Sequence, residues 1–136
     1  MIYPEFFPED RKNEIAEKKV FEQLKRISDS YDIFYSRKFV TDGVGKKPEY
    51  EVDFIIAIPE KAIICLEVKG GIINYSGSRD EWTQNSRVMS KRPDSQASSA
   101  THALIKGFSE LIGDMAVGWG LCFPDGDLGS KALPTS

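Results

Sequence analysis

Three residues in two adjoining apolar segments have the types and spacing to do chemistry together. Asp53 lies in Val52-Asp53-Phe54-Ile55-Ile56-Ala57-Ile58; Glu67 and Lys69 close Ala62-Ile63-Ile64-Cys65-Leu66-Glu67-Val68-Lys69. Segments this apolar read as strands buried on both faces. An ionised group there costs several kcal/mol unless something compensates it. Side chains alternate along a strand, so Glu67 and Lys69 share a face. Pairing of the two segments through a short turn at Pro59-Glu60 brings Asp53 near Glu67. Two carboxylates about 4 Å apart repel by roughly 4 kcal/mol at an effective dielectric near 20. A divalent cation turns that repulsion into attraction. A lysine beside the cation suits an anionic third partner such as a phosphate. The alternative is a structural ion cluster at a strand end.

The elements that must position these residues are legible in outline. Glu9 to Ser28 reads as a helix, with Val20, Phe21, Leu24 and Ile27 as its apolar stripe. Glu17 falls within that stripe, so it either snorkels to solvent at the helix edge or faces a polar site at the end of the sheet. Tyr31 to Val40 reads as a strand and Thr41 to Pro48 as a loop. After the two apolar strands, Gly70-Gly71 allows positive φ or close backbone approach. Ile72 to Tyr75 suggests a short strand, and Ser76 to Arg92 a polar connection around Trp82. Pro93-Asp94-Ser95-Gln96 opens a second helix with Asp94 as its N-cap. Ala97, Ala100, Leu104, Phe108 and Leu111 form its apolar face, and Gly113 lies near its end. Val117, Trp119, Leu121 and Phe123 alternate as a last strand. Helix, three strands, helix, strand indicates an α/β fold with a mixed sheet.

Composition narrows the class. A chain of 136 residues is long enough for one domain with a real core. It has no apolar run of membrane-spanning length and no charged-then-apolar leader pattern, which points to a cytoplasmic protein without a membrane partner. Cys65 and Cys122 lack metal-type spacing and read as reduced core residues. The net charge of -3 does not advertise a nucleic-acid binder. A metal-dependent phosphodiesterase must carry acids, however, and bound cations change the local sign. Basic residues cluster at Arg37-Lys38, Lys46-Lys47, and from Arg79 through Arg87 to Lys91-Arg92. From Pro124 the chain turns polar and glycine-rich. That gives a domain over 1-125 and a linker-like tail over 126-136, leading to a missing C-terminal domain.

The pieces Ala16-Glu17-Lys18-Lys19-Val20, Glu51-Val52-Asp53-Phe54, Glu67-Val68-Lys69-Gly70-Gly71, Trp82, Pro93-Asp94-Ser95-Gln96 and Phe123-Pro124-Asp125 together resemble the nuclease-related domain (NERD) family of the PD-(D/E)XK nuclease superfamily. The resemblance covers about Ala16 to Asp125. It implies a restriction-endonuclease-like αβββαβ core, with a mixed central sheet flanked by helices. It further implies a nuclease that hydrolyses DNA phosphodiester bonds with Mg²⁺ or Mn²⁺, RNA not being excluded as a substrate. By this resemblance Asp53 and Glu67 are metal ligands, joined by the Val68 carbonyl. Lys69 is the catalytic lysine, Glu17 the supporting acid of the first helix, and Gln96 the glutamine of the second. Val52 stands where the superfamily's name has proline. The helix after Gln96 is poor in basic residues, which puts a phosphate contact from it in doubt. The resemblance also suggests a fused helicase-type or other processing domain, and double-strand cleavage would ask for a homodimer. The competing expectation is a non-catalytic module that keeps the fold and binds nucleic acid or protein. His102 carries no chemistry on this reading. Trp82 is a base-stacking candidate or, more simply, a packing anchor. Glu51, sharing a face with Asp53, is either an outlying acid of the site or solvent-exposed.

Overall fold

A computed structural model of the protein describes residues 1–40 and 49–126. The loop expected at Thr41 to Pro48 and the tail beyond Gly126 lie outside the described residues. In chain order come β1 (Ile2–Tyr3), a 3₁₀ turn (Glu9–Arg11), α1 (Ile15–Lys25), β2 (Asp32–Val40), β3 (Glu49–Ile58) and β4 (Ala62–Val68). Then follow β5 (Ile73–Ser76), β6 (Glu81–Gln84), β7 (Arg87–Val88), α2 (Pro93–Gly107), α3 (Ser109–Ile112) and β8 (Ala116–Cys122). The main sheet runs β1-β2-β3-β4-β8. Its two central pairings, β2 with β3 and β3 with β4, are antiparallel; the outer pairings of β1 with β2 and β4 with β8 are parallel. This is the expected mixed α/β sheet, with β1 added at one edge.

The central strands bury both faces, as their apolar runs require. On one face Val20 and Phe21 of α1 pack with Ile33, Tyr35, Phe54 and Val68. On the other, Ala100 and Leu104 of α2 pack with Val52 and Cys65. Both helices are thereby fixed to the strands that carry Asp53 and Glu67. Among the described residues, no helix is long and apolar enough to cross a membrane.

Several expected boundaries move. The first helix spans only Ile15–Lys25. Before Ile15 the chain offers charged residues with nothing to bury, and a 3₁₀ turn forms there instead. After Lys25 the Ser28 hydroxyl donates to the Lys25 carbonyl at 2.7 Å, and Ile27 is left exposed. Helix α2 begins one residue earlier than its expected cap. Arg92 is the N-cap and Pro93 takes the first helical position, where its missing N–H costs nothing. Asp94 instead binds the Arg92 guanidinium at 2.8 Å. The apolar stripe expected through Phe108 and Leu111 breaks when Phe108 leaves helical geometry, and both side chains are exposed. The polar connection expected from Ser76 to Arg92 holds a second sheet, β5-β6-β7, around fully buried Trp82. Burial makes Trp82 the packing anchor rather than a base-stacking platform. It lies 5.0 Å from the Tyr75 ring and 5.8 Å from Phe123.

Candidate active site

The site grows from a kink shared by β2 and β3. Their register passes from Tyr35↔Phe54 to Arg37↔Val52 and skips Ser36 and Asp53. Ser36 has φ 52°, a left-handed conformation that a non-glycine residue adopts at some cost. Plain alternation would place Val52 and Phe54 on one face. Instead Val52 packs toward α2 and Phe54 toward α1. Asp53 sits at this switch between the two apolar layers. The β3–β4 ladder ends at Phe54↔Leu66, which sets Asp53 opposite Glu67. Beyond it the Val68 N–H donates to Asp53 Oδ2 at 2.8 Å, so the aspartate replaces a ladder bond. Lys69, past the end of β4, reaches Glu67 Oε1 at 3.2 Å.

Helix α1 brings Glu17 to the same place. The Tyr35 hydroxyl donates to Glu17 Oε1 at 2.8 Å. Arg11, from the 3₁₀ turn, stands 4.0 Å from Glu17 and 3.5 Å from Glu51, and its guanidinium lies over the Tyr35 ring. Glu51 also accepts a hydrogen bond from the Ser36 hydroxyl at 3.0 Å. The acid anomalous in the α1 stripe therefore faces a polar site and does not snorkel away. Helix α2 brings Gln96 to the opposite wall, and its buried Oε1 has no hydrogen-bond donor among the described residues. Glu17, Asp53, Glu67, Lys69 and Gln96 all line one cleft of about 870 Å³, together with Val68. The sequence-expected set converges. His102 is exposed on the flank of α2, away from the cleft.

Burial dominates the electrostatics. It pushes the Asp53 carboxyl up to about 7; Glu67 pushes it further, while the Val68 N–H and Lys69 pull back. Burial likewise raises Glu17 to about 7, against the Tyr35 hydrogen bond and with help from Asp53. Glu67 is raised too, again by burial first, with Lys69 opposing. Acids held this far from their ordinary range in a cleft mark a functional-site candidate.

The chain matches the family model described as the nuclease-related domain (NERD) over residues 12–118, more than half its length. It belongs to the NERD family. No curated protein and no solved structure matches it.

The NERD domain's donor set suits a hard divalent cation. Among the described residues, no three histidine, cysteine or acidic side chains close into a metal-binding group. A small cation such as Mg²⁺ does not require that, because it keeps several waters and uses one or two carboxylates. Asp53 and Glu67 could supply those two; burial first holds both above their ordinary range, with Lys69 opposing, and a bound cation would offset that cost. The Gln96 acceptor adds an unmet hydrogen-bonding need on the facing wall. Sequence reasoning missed the residues that hold this NERD site in shape. Tyr35 and Ser36 from β2 and Arg11 from the 3₁₀ turn hold Glu17 and Glu51 in place from other elements and carried no local signal. Asn85 was also missed: its side chain accepts from the Ile72 N–H at 2.9 Å, and its own N–H donates to the Ile72 carbonyl at 2.9 Å. Asn85 thereby pins the β6–β7 turn just after Lys69.

Proposed function

We propose that this NERD domain is a divalent-cation-dependent nuclease that hydrolyses DNA phosphodiester bonds, as part of a larger helicase-like DNA-processing protein. The observation that carries this reading is the pair of opposed buried carboxylates, Asp53 and Glu67, with Lys69 3.2 Å from Glu67 in an open cleft. Asp53, Glu67 and the Val68 carbonyl would hold Mg²⁺ or Mn²⁺. When bound, such a cation lowers the pKa of a water and neutralises phosphate charge.

The chain's own side chains do the remaining work. Lys69 is tethered to Glu67, so its ammonium is aimed at the phosphate and stabilises charge that grows on the oxygens during in-line attack. Gln96 offers its free amide oxygen to a donor on the attacking water or the substrate. Glu17, fixed by Tyr35, adds negative field behind Asp53 and keeps the carboxylate pair poised for a cation. The Val68 N–H holds the Asp53 carboxylate in position.

A cleavage assay with Mg²⁺ and with Mn²⁺ tests the reading on supercoiled plasmid, linear duplex and circular single-stranded DNA. Asp53→Ala and Lys69→Ala each reduce the rate by roughly a hundredfold or more, with an unchanged circular-dichroism spectrum. Cleavage that persists in Asp53→Ala would sink the assignment. Salt-sensitive DNA binding with no product from any protein would identify a non-catalytic binding module instead.

A further inference from the structure

The cleft does not end at Lys69. A second depression of about 640 Å³ shares Lys69, Gln96, Ser90 and Lys91 with it and extends along the β6–β7 hairpin past Arg87. The hairpin is tied to the catalytic strand by several bonds. Gln84 Nε2 donates to the Gly70 carbonyl at 2.8 Å, and Asn85 exchanges two bonds with Ile72. Asn85 and Ser86 both take positive φ, which makes the tight two-residue turn that returns Arg87 opposite Gln84. The position of Arg87 is thus set by hydrogen bonds from Gln84 and Asn85 to Gly70 and Ile72, just after Lys69.

Charge distinguishes this flank from the rest of the site. Arg11 is spent on Glu17 and Glu51, and Arg92 on Asp80 and Asp94. Arg87 and Lys91 are exposed and have no ion-pair partner among the described residues. Two free cations on a groove that opens from an acidic cleft are placed for an extended polyanion. They would neutralise charges next to the one being attacked. Building on the nuclease reading, we infer that the β6–β7 hairpin is a substrate subsite, in which Arg87 and Lys91 bind backbone phosphates of the DNA strand flanking the scissile bond. The domain therefore acts on a polymer, and short substrates that stop at the cleft forgo the Arg87 contact.

Anisotropy titrations in the Asp53→Asn background, with labelled DNA of increasing length, read affinity without turnover. Affinity rises with length until the hairpin is covered. Adding Arg87→Gln and Lys91→Gln weakens long DNA at least about tenfold; the shortest DNA feels only the Lys91 change, because Lys91 lines both depressions and Arg87 only the second. On long DNA the double change also lowers the slope of log K against log salt by about 1.4 to 1.8, the loss of two phosphate contacts. Arg79→Gln, an exposed cation lining neither depression, changes nothing. Charge-preserving Arg87→Lys with Lys91→Arg keeps both the length dependence and the slope, which a merely structural role for these side chains would not require. In protein with Asp53 intact, the neutral pair raises KM for long DNA while kcat holds. If long DNA binds as tightly and with the same salt slope after the double change, the subsite is refuted and the nuclease reading stands. If the unaltered protein neither binds nor cuts DNA, both fall together.

Discussion

At the scale of single residues, the candidate site was legible because its members break a pattern. Asp53, Glu67 and Lys69 stand out as charges at the ends of apolar runs, and Glu17 as an acid in an apolar stripe. Their partners broke no pattern: Tyr35 looks like any strand aromatic, yet its hydroxyl holds Glu17 across two elements. The cost of burying these acids gives a pH prediction. Asp53 ordinarily titrates near 3.8 and in the fold near 7. Between those values the folded state binds more protons than the unfolded one, so stability falls as pH rises. The loss is complete above pH 7. A rise of roughly three units corresponds to something on the order of 4 kcal/mol. In the presence of a chelator, the melting temperature drops from about pH 4.5 to about pH 8, a range that covers most of the interval between the two values. Asp53→Asn flattens most of that drop and is the more stable protein at the alkaline end. Glu17, raised in the same direction, leaves a residual slope. Mg²⁺ restores the unaltered protein at the alkaline end and does little for Asp53→Asn. A melting temperature indifferent to pH in the unaltered protein would show that Asp53 does not carry this burden.

At the scale of elements, long amphipathic pieces were readable and short ones were not. The αβββαβ order follows from apolar runs and stripes, whereas β1, β6 and β7 are only two to four residues long; β1 exists by pairing with distant β2, and β6 and β7 by pairing with each other and with β5 across short turns. The pair Gly70-Gly71 was read as a place of close approach, and the structure gives the reason. A Cβ on Gly70 would meet the Ala16 Cβ of α1 at 2.9 Å. Gly71 has φ +81°, and a Cβ there would meet the Asn85 side chain at 2.8 Å. The glycines let α1 and the hairpin close on the segment directly after Lys69. Gly71→Ala is expected to cost about 1–3 kcal/mol, from backbone strain and the clash together. Urea denaturation of a double-mutant cycle separates the two contributions. In an Asn85→Gly background the clash is gone, positive φ at position 85 is still tolerated, and only the strain remains. Strictly additive costs would show that Asn85 does not pack on Gly71.

At the scale of the whole molecule, the sequence pattern indicated an α/β fold with a mixed sheet and the family resemblance implied flanking helices, but neither showed the kink at which the candidate site forms. That kink is a property of two strands at once: Ser36 turns left-handed where Asp53 skips its pair, and alternation within either strand alone does not reveal it. One consequence concerns what a single chain can do to a duplex. The fold brings Asp53, Glu67 and Lys69 together once, at one end of one sheet, in a cleft walled by α1 on one side and α2 on the other. On the proposed nuclease reading, one such set would attack one phosphorus per encounter. A single domain acting on supercoiled plasmid is therefore expected to accumulate nicked circles first, and linear product follows only as independent second cuts fall opposite earlier ones. The nicked fraction should rise and then decline, with a lag before linear DNA. Raising the protein concentration should shorten the lag without abolishing it. Linear product formed from the outset, with no nicked intermediate and with a rate rising as the square of protein concentration, would mean instead that two copies assemble on the duplex and present two clefts to opposite strands.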